Sequence, residues 1–254
     1  MSDCASVDTP YDLGTPLLKS TEDNRLDQND HKSYMSIVGS LMYIACHGAP
    51  EIQYAVNACA SHMHSPSSIH LIAAKRIMRY LSGVLKEPNY IIYTYSPNDS
   101  FIKAFSDASW GGNGEDAKST SGSLILFNGG PIAWQSKRQS TVALSSAEAE
   151  YMALTETLKL CMYVIMISNF MKIDLPLPFP ILCDSQSAIQ MARNPVSSQR
   201  TRHINIRYHY IREQVILGNI NIVYLQTDEM LADIFTKPLG KIKFKEMVKY
   251  IYGK

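Results

Sequence analysis

The sequence predicts an α/β fold: a mixed five-stranded sheet flanked by helices, preceded by a small, mainly helical segment. Three observations carry this reading. Strand-like runs at 101–107, 122–127 and 131–136 follow one another, the last two joined by Asn128-Gly129-Gly130, a hairpin-turn signal. Beyond them helical and strand-like patterns alternate, which places later strands beside the meander with helices covering the sheet. Before them, residues 34–81 carry small and apolar residues at helical spacing.

Taken in order, residues 1–32 are polar and rich in Asp, Thr, Pro and Asn. The string YDLGTPL reads as a turn and DNRLDQND as mobile. A helix is expected over 34–46. A second opens at Pro50 in PEIQYAVNACASHM, with proline in its first turn. A third, over 68–81, is amphipathic with Ile69, Ile72, Ala73, Ile77 and Tyr80 on one stripe. Residues 83–89 break the pattern and 90–95 alternate like a strand. The later part adds a long helix opened by Ser145, a short buried strand at 181–183, helices over 185–193 and 203–217 with Gly218 as the stop, a strand at 220–225 and a short helix at 230–235. The expected division is a polar segment (1–32), a helical segment (33–98), the α/β domain (99–240) and a helical tail (241–254).

A chain of 254 residues allows one large domain or two small ones, and 46% hydrophobic residues suffice for a buried core. A net charge of +1 names no class of partner. Lys137, Arg138, Arg200, Arg202, Arg207 and Arg212 fall in the later half; they form a candidate phosphate-contacting rim or ordinary surface charge. Five cysteines make no CxxC pair. Their odd number, their apolar surroundings and the lack of a signal-peptide pattern point to reduced thiols in a cell interior. The apolar run 161–170 falls short of the ~20 residues that cross a bilayer, so no membrane span is expected. His62, His64 and His70, without cysteines or a matching acid set, read as a turn and a helix start rather than a metal site.

Four acids are harder to explain structurally: Asp107 in KAFSDASW, Glu150 in SSAEAEYMAL, Asp184 in ILCDSQSAI and Asp233 in TDEMLADIFTKPL. Each has a bland alternative. Asp107 could start a turn, Asp184 could cap the following helix, and Asp228 or Glu229 could replace Asp233. Two glutamates near the start of the long helix, Glu148 and Glu150, are separable. Ser145 and Glu148 fit a capping box. At about 100° per residue, Glu150 shares the core-facing stripe of Leu154, Thr157, Cys161 and Ile165, where an unpaired acid is costly. Converging carboxylates repel unless a cation lies between them. Hard oxygen donors suit Mg²⁺ or Mn²⁺, and paired ions of that kind cleave phosphodiesters.

The strings SDASW, STSGSLILFNGGPIAWQSKRQ, LSSAEAEYMAL, CDSQSAI, RTRHINIRYHYIRE and TDEMLADIFTKPL occur in an order that resembles the ribonuclease H domain of Ty1/copia-type retrotransposon polyproteins. Upstream, YMSIVGSLMYIA, IQYAVN and HLIAAKRIMRYLSG resemble the segment joining reverse transcriptase to ribonuclease H in the same polyproteins. The resemblance implies a ribonuclease H-like fold and cleavage of the RNA strand of RNA–DNA hybrids. It implies two Mg²⁺ ions, with Mn²⁺ as a substitute, held by Asp107, Glu150, Asp184 and Asp233. Ser146, Gln186, Lys137, Arg138, Arg202 and His203 are candidate substrate contacts, and the polymerase part of a reverse transcriptase is a candidate partner.

The chain departs from that pattern in places. The loop Gln226-Thr227-Asp228-Glu229 lacks the histidine many ribonucleases H place there, and Asn205 and Tyr210 replace an Asp and a Phe of related transposon sequences. His203 is left as a candidate for proton traffic or product release, or as a helix-start residue. No YxDD string occurs, so no polymerase metal site is expected. Two rivals remain: an inactive or domesticated transposon relic that binds nucleic acid or protein, and an integrase. The integrase fits worse, since integrases use three acids and lack the ADIFTK ending. In residues 1–98, Ile69, Ile72, Ile77 and Tyr80 are expected to leave an exposed apolar patch if the α/β domain does not cover them; the alternative is that the first part packs on that domain and is needed for its stability.

Overall fold

Asn128 and Gly129 both take positive φ, 48° and 80°. A two-residue turn needs this backbone to match the twist of the strands it joins. In the computed structural model, which describes residues 4–86, 93, 102–112, 116–193 and 205–252, that turn folds β2 (Thr120–Phe127) onto β3 (Gly130–Arg138). β1 (Ile102–Ser109) pairs antiparallel with β2 and parallel with β4 (Phe179–Cys183), and β5 (Ile220–Tyr224) extends the parallel side. The order β3-β2-β1-β4-β5 gives the mixed five-stranded sheet expected from the sequence. β1 does not end at Asp107. It continues to Ser109 because its ladder with β2 runs on to Thr120, whereas its ladder with β4 stops at Ser106 opposite Cys183. β3 likewise runs two residues past Ser136.

The helix after the meander has the sheet as its floor. α4 (Ser146–Met171) buries Leu154, Thr157, Leu158, Cys161 and Ile165. Its apolar stripe shares a core with Ile102, Ala104, Ile125, Phe179, Ile181 and Ile222 of the strands. The one polar group of that stripe beyond the first turns is satisfied: the Thr157 and Ser123 hydroxyls lie 2.7 Å apart. By length and composition α4 could cross a membrane, a property the shorter run 161–170 concealed. Half of its most apolar window is nevertheless buried within this fold, the pattern of a helix covering a core. α5 (Gln186–Arg193) and α6 (Asn205–Ile216) add Ala188, Ile189 and Ile211 to the same core. Gly218, at φ 71°, ends α6 as expected. Leu231–Phe235 is a fully buried 3-10 turn rather than an α-helix.

Two compact units emerge from the contacts: residues 1–92 with 237–249, and residues 93–236 with 250–254. In the first, α1 (Gln28–His47) begins six residues before the expected start, because Asp27 accepts hydrogen bonds from the N–H groups of Asn29 and Asp30, both at 2.8 Å. Part of DNRLDQND is therefore helix. Pro50–Ile52 forms a 3-10 turn leading into α2 (Gln53–Ala60), and α3 runs from Ser68 through Gly83 to Val84. The α3 stripe is rotated from the expected one. His70, Leu71, Ala74, Ile77, Tyr80 and Val84 are buried, while Ile69 and Ile72 are 42% and 65% exposed. α3 carries apolar residues on both faces, so spacing alone does not select the inward one. Tyr80 meets Phe244 of α7 (Lys241–Ile251) edge-on at 5.6 Å, so Ile77 and Tyr80 belong to a core and not to an apolar patch. His70 serves the helix start, its Nδ1 accepting the Ser67 N–H at 2.9 Å, and stacks on His62 at 4.1 Å. An apolar groove of about 620 Å³ separates α1 from α3, lined by Ile37, Leu41, Ile44, Met78, Leu81 and Leu85. The strand expected at 90–95 lies outside the described residues except Tyr93.

One contact positions the 3-10 turn. Gly122 of β2 lies directly beneath it, and a Cβ there would come within 2.6 Å of Thr236 Cγ2 and 2.7 Å of the Ala232 carbonyl oxygen. Gly122→Ala is expected to destabilise the chain by about 1–3 kcal/mol through this overpacking. Gly39→Ala, mid-helix in α1 with nothing within 4 Å of the added methyl, is expected to stabilise by roughly 0.5–1 kcal/mol. Urea midpoints of the two variants test both signs.

Candidate functional site

Ser106 of β1 and Cys183 of β4 are partners in the parallel ladder. The residue that follows each of them is an acid, Asp107 and Asp184. The fold thus sets two carboxylates at the carboxyl ends of adjacent parallel strands, where α/β sheets gather their ligand sites. Asp107 is 3% exposed and also sits opposite Gly122 on β2. Asp184 is half-buried. It is not the cap of α5: Ser185 Oγ accepts the Ala188 N–H at 3.2 Å. The bland explanation for Asp184 therefore falls to its neighbour.

Glu148 and Glu150 of α4 are both buried, so burial does not separate them; their hydrogen bonds do. Glu148 Oε2 accepts the Leu144 N–H at 2.8 Å, and its own N–H donates to Ser145 Oγ at 3.2 Å. That is a local cap, reaching one residue further back than the standard box. Glu150 turns to the sheet instead, where its Oε1 accepts the Ala108 N–H at 3.2 Å. The bond places Glu150 beside Asp107. Ligand atoms of Glu150, Asp184 and Cys183 all lie within 4.8 Å of one another. Burial pushes the Cys183 thiol well above its usual range, and the charges of Glu150, Asp184 and Asp107 push it further. The thiol is thus neutral at physiological pH, and three carboxylates act on it at once.

Asp233 is fully buried in the 3-10 turn. Its turn is tied to the strand acids through Thr236, whose hydroxyl donates to Asp107 Oδ2 and lies 3.2 Å from the Asp233 carbonyl oxygen. Asp228 and Glu229 are exposed in a separate 3-10 turn, Thr227–Glu229. The structure therefore brings Glu150 and Asp184 together directly, sets Asp107 beside them, and links the backbone around Asp233 to Asp107. Convergent buried carboxylates fit a hard divalent cation, which takes oxygen ligands. The neutral, soft thiol of Cys183 adds nothing to such an ion.

The candidate contacts divide. Ser146 and Gln186 are exposed in the first turns of α4 and α5. Lys137 and Arg138 are exposed on β3, in register with Ser121 and Thr120. Those residues in turn pair with Ala108 and Ser109, at the Asp107 end of the sheet. Each cation already has a surface acid: Lys137 binds Glu156 at 2.8 Å and Arg138 binds Asp116. Arg200, Arg202 and His203 lie outside the described residues.

Three residues of the site escaped sequence reasoning. Thr236 acts through its hydrogen bond to Asp107, and Gly122 by leaving room for the turn that carries Asp233. Gln139, buried, donates from Nε2 to Ser121 Oγ at 3.0 Å and to the Ala149 carbonyl at 2.9 Å, fixing α4 to β2 one residue before Glu150. A glycine inside a strand pattern is a signal for close backbone approach; nothing local marks Thr236 or Gln139.

No protein-family model matches the chain. Over 222 residues it is 40% identical to the retrovirus-related Pol polyprotein from transposon RE1 of Arabidopsis thaliana, and over 223 residues 39% identical to that from transposon TNT 1-94 of Nicotiana tabacum. Each match covers 87% of this chain but only 15% and 16% of the respective polyprotein. Among solved structures, the ribonuclease H1 LC11 from compost aligns with 54% of this chain and 93% of its own at 14% identity, with a TM-score of 0.41. The family assignment rests on the sequence relatives, whose similarity runs through both units: this chain belongs to the Ty1/copia-type retrotransposon Pol polyproteins and corresponds to a small part of their length.

Proposed function

We propose that the α/β unit is a metal-dependent ribonuclease H that cleaves the RNA strand of RNA–DNA hybrids. The observation that carries the reading is the meeting of Glu150 with Asp184 beside Asp107 at one end of the sheet. Asp107, Glu150, Asp184 and Asp233 would hold two Mg²⁺ ions, for which Mn²⁺ can substitute. Such ions, when bound, supply an activated water and stabilise the leaving 3′ oxygen. The protein's own part is positional. The Ala108 N–H anchors Glu150, the Thr236 hydroxyl anchors Asp107, and Gln139 holds the helix that presents Glu150. No side chain acts as a nucleophile.

Substrate choice follows from the surroundings. Lys137 and Arg138 lie on the strand edge toward the acids, and their exposed ion pairs are worth only ~0–1 kcal/mol each. Backbone phosphates can displace Glu156 and Asp116 at little cost. Ser146 and Gln186, exposed at the starts of α4 and α5, are placed to meet the RNA strand, where 2′-hydroxyl contacts rather than base edges discriminate RNA from DNA. The RNA–DNA hybrid and the polymerase part of a Pol polyprotein are the proposed partners, in a cell interior.

A labelled RNA–DNA hybrid with Mg²⁺ tests the proposal. The RNA strand alone is expected to be cut, leaving 5′-phosphate ends; EDTA abolishes the reaction, and Mg²⁺ or Mn²⁺ restores it without Zn²⁺. Equal cutting of duplex DNA rejects the substrate assignment, and hybrid binding without any cutting identifies a relic that has kept only its binding face.

The two glutamates give a sharper contrast. Glu150→Gln is expected to abolish cleavage while the melting temperature stays level or rises, because one of several like charges is removed. Glu148→Gln is expected to keep most activity, since the amide oxygen still accepts the Leu144 N–H. Cleavage rates and thermal melts of the two variants check this, and a dead Glu148→Gln enzyme would reverse the assignment.

A further inference from the structure

We infer that Thr236 is a positioning residue for the metal site: its hydroxyl fixes the orientation of the Asp107 carboxylate, and its backbone closes the turn that carries Asp233. The inference rests on the four-carboxylate reading above and deepens it.

Thr236 is 2% exposed and is the residue just after the 3-10 turn Leu231–Phe235. Its backbone N–H donates to the Asp233 carbonyl at 3.1 Å. Its Oγ1 has two acceptors in reach, Asp107 Oδ2 and the Asp233 carbonyl. A hydroxyl carries one proton, and a carboxylate is the stronger acceptor, so the proton goes to Asp107. An aspartate carboxylate otherwise has a broad, roughly two-fold torsional preference. A donor fixed on Oδ2 orders the group in advance. Without that donor, the ordering cost falls on metal binding.

The other end of the side chain has a separate task. Thr236 Cγ2 lies 2.6 Å from where a Cβ on residue 122 would stand, so the methyl packs over Gly122 while the hydroxyl faces Asp107. A β-branched side chain is stiff at χ1, so packing the methyl also aims the hydroxyl. Asp107 and Gly122 are paired across β1 and β2. The threonine therefore reads both partners of one register position, one with each branch.

The two tasks separate by substitution in the full chain. Thr236→Ser keeps the hydroxyl and loses the methyl, whereas Thr236→Val keeps the branched shape and loses the hydroxyl. Binding of Mn²⁺, followed by the paramagnetic resonance of the free ion, and the melting temperature of the metal-free protein are the readouts. The Val variant is expected to bind Mn²⁺ about 10- to 100-fold more weakly, the range for loss of a partner that orients a metal ligand. The Ser variant is expected to melt lower than the unaltered chain yet bind Mn²⁺ within about twofold of it. Should the Val variant fail to fold, Thr236→Ala against Thr236→Ser isolates the hydroxyl without the methyl, and the weaker Mn²⁺ binding is expected for Ala. Equal Mn²⁺ affinity in Val and unaltered chains, or in Ala and Ser where Val does not fold, overturns the inference while leaving the four-carboxylate reading intact. An unaltered chain that binds no Mn²⁺ overturns both.

Discussion

A carboxylate placed on the buried face of a helix must find a hydrogen-bond donor or a cation, because desolvation makes an unsatisfied charge very costly. Glu150 finds the Ala108 N–H, and much of the α/β unit is arranged so that it can. β1 runs past the end of its parallel partner β4 and supplies that N–H. Gln139 holds the preceding turn of α4 against β2. The stripe below Glu150 then continues as Leu154, Thr157, Leu158, Cys161 and Ile165, with the Thr157 hydroxyl met by Ser123. The buried hydroxyls of Thr155 and Ser168 donate to carbonyls of the helix itself, whereas Glu150 and Thr157 tie this apolar helix to strands.

The same constraint explains the unequal strand ends. β4 ends at Cys183, opposite Ser106, whereas β1 runs on past Asp107 to Ser109 along β2. The two further residues paired with β2 keep Asp107 buried within a ladder while leaving its β4 side open to Asp184 and Glu150. Gly122, the partner of Asp107 across β1 and β2, lacks the side chain that would hold the 3-10 turn away. Acid, glycine and turn are therefore parts of one packing solution, and the Cys183 thiol stays protonated because it is buried and, second, because the nearby charges of Glu150, Asp184 and Asp107 are negative.

The unit built from the chain's first part follows a different logic. Its helices are amphipathic and short-range, and its core is closed by a segment from far along the chain, with Tyr80 against Phe244 and Lys241 and Lys245 on Asp8 at 2.8 and 2.6 Å. Those two lysines hold the Asp8 carboxyl at about 2. The ion pairs are exposed and add little on their own; the aromatic contact and the buried stripe of α3 account for more of the attachment.

Much of this was legible in the residues. Asn128-Gly129 announced its hairpin because few residues other than Asn and Gly take positive φ readily. The inward direction of Glu150 followed from helix geometry, and the capping duty of Glu148 from the residues beside it. The α3 stripe was misread because Ile69 and Ile72 satisfy a helical period as well as Leu71 and Ala74 do, and only the surfaces packed against the helix choose between them. The early start of α1 was missed because polar residues at a helix N-terminus resemble a loop until the cap is seen.

The sequence by itself determined the strands of the sheet, most of the helices, the family and the identity of the four candidate acids, since periodicity, turn chemistry and ordered motifs are local properties of a chain. Tertiary structure alone decided that Ser185 rather than Asp184 caps α5, that Glu150 leans on Ala108, and that Thr236 reaches Asp107 from 129 residues away. Those are relations of strand register and close packing between distant segments, and no residue carries a local mark of the partner it meets only when the chain has folded.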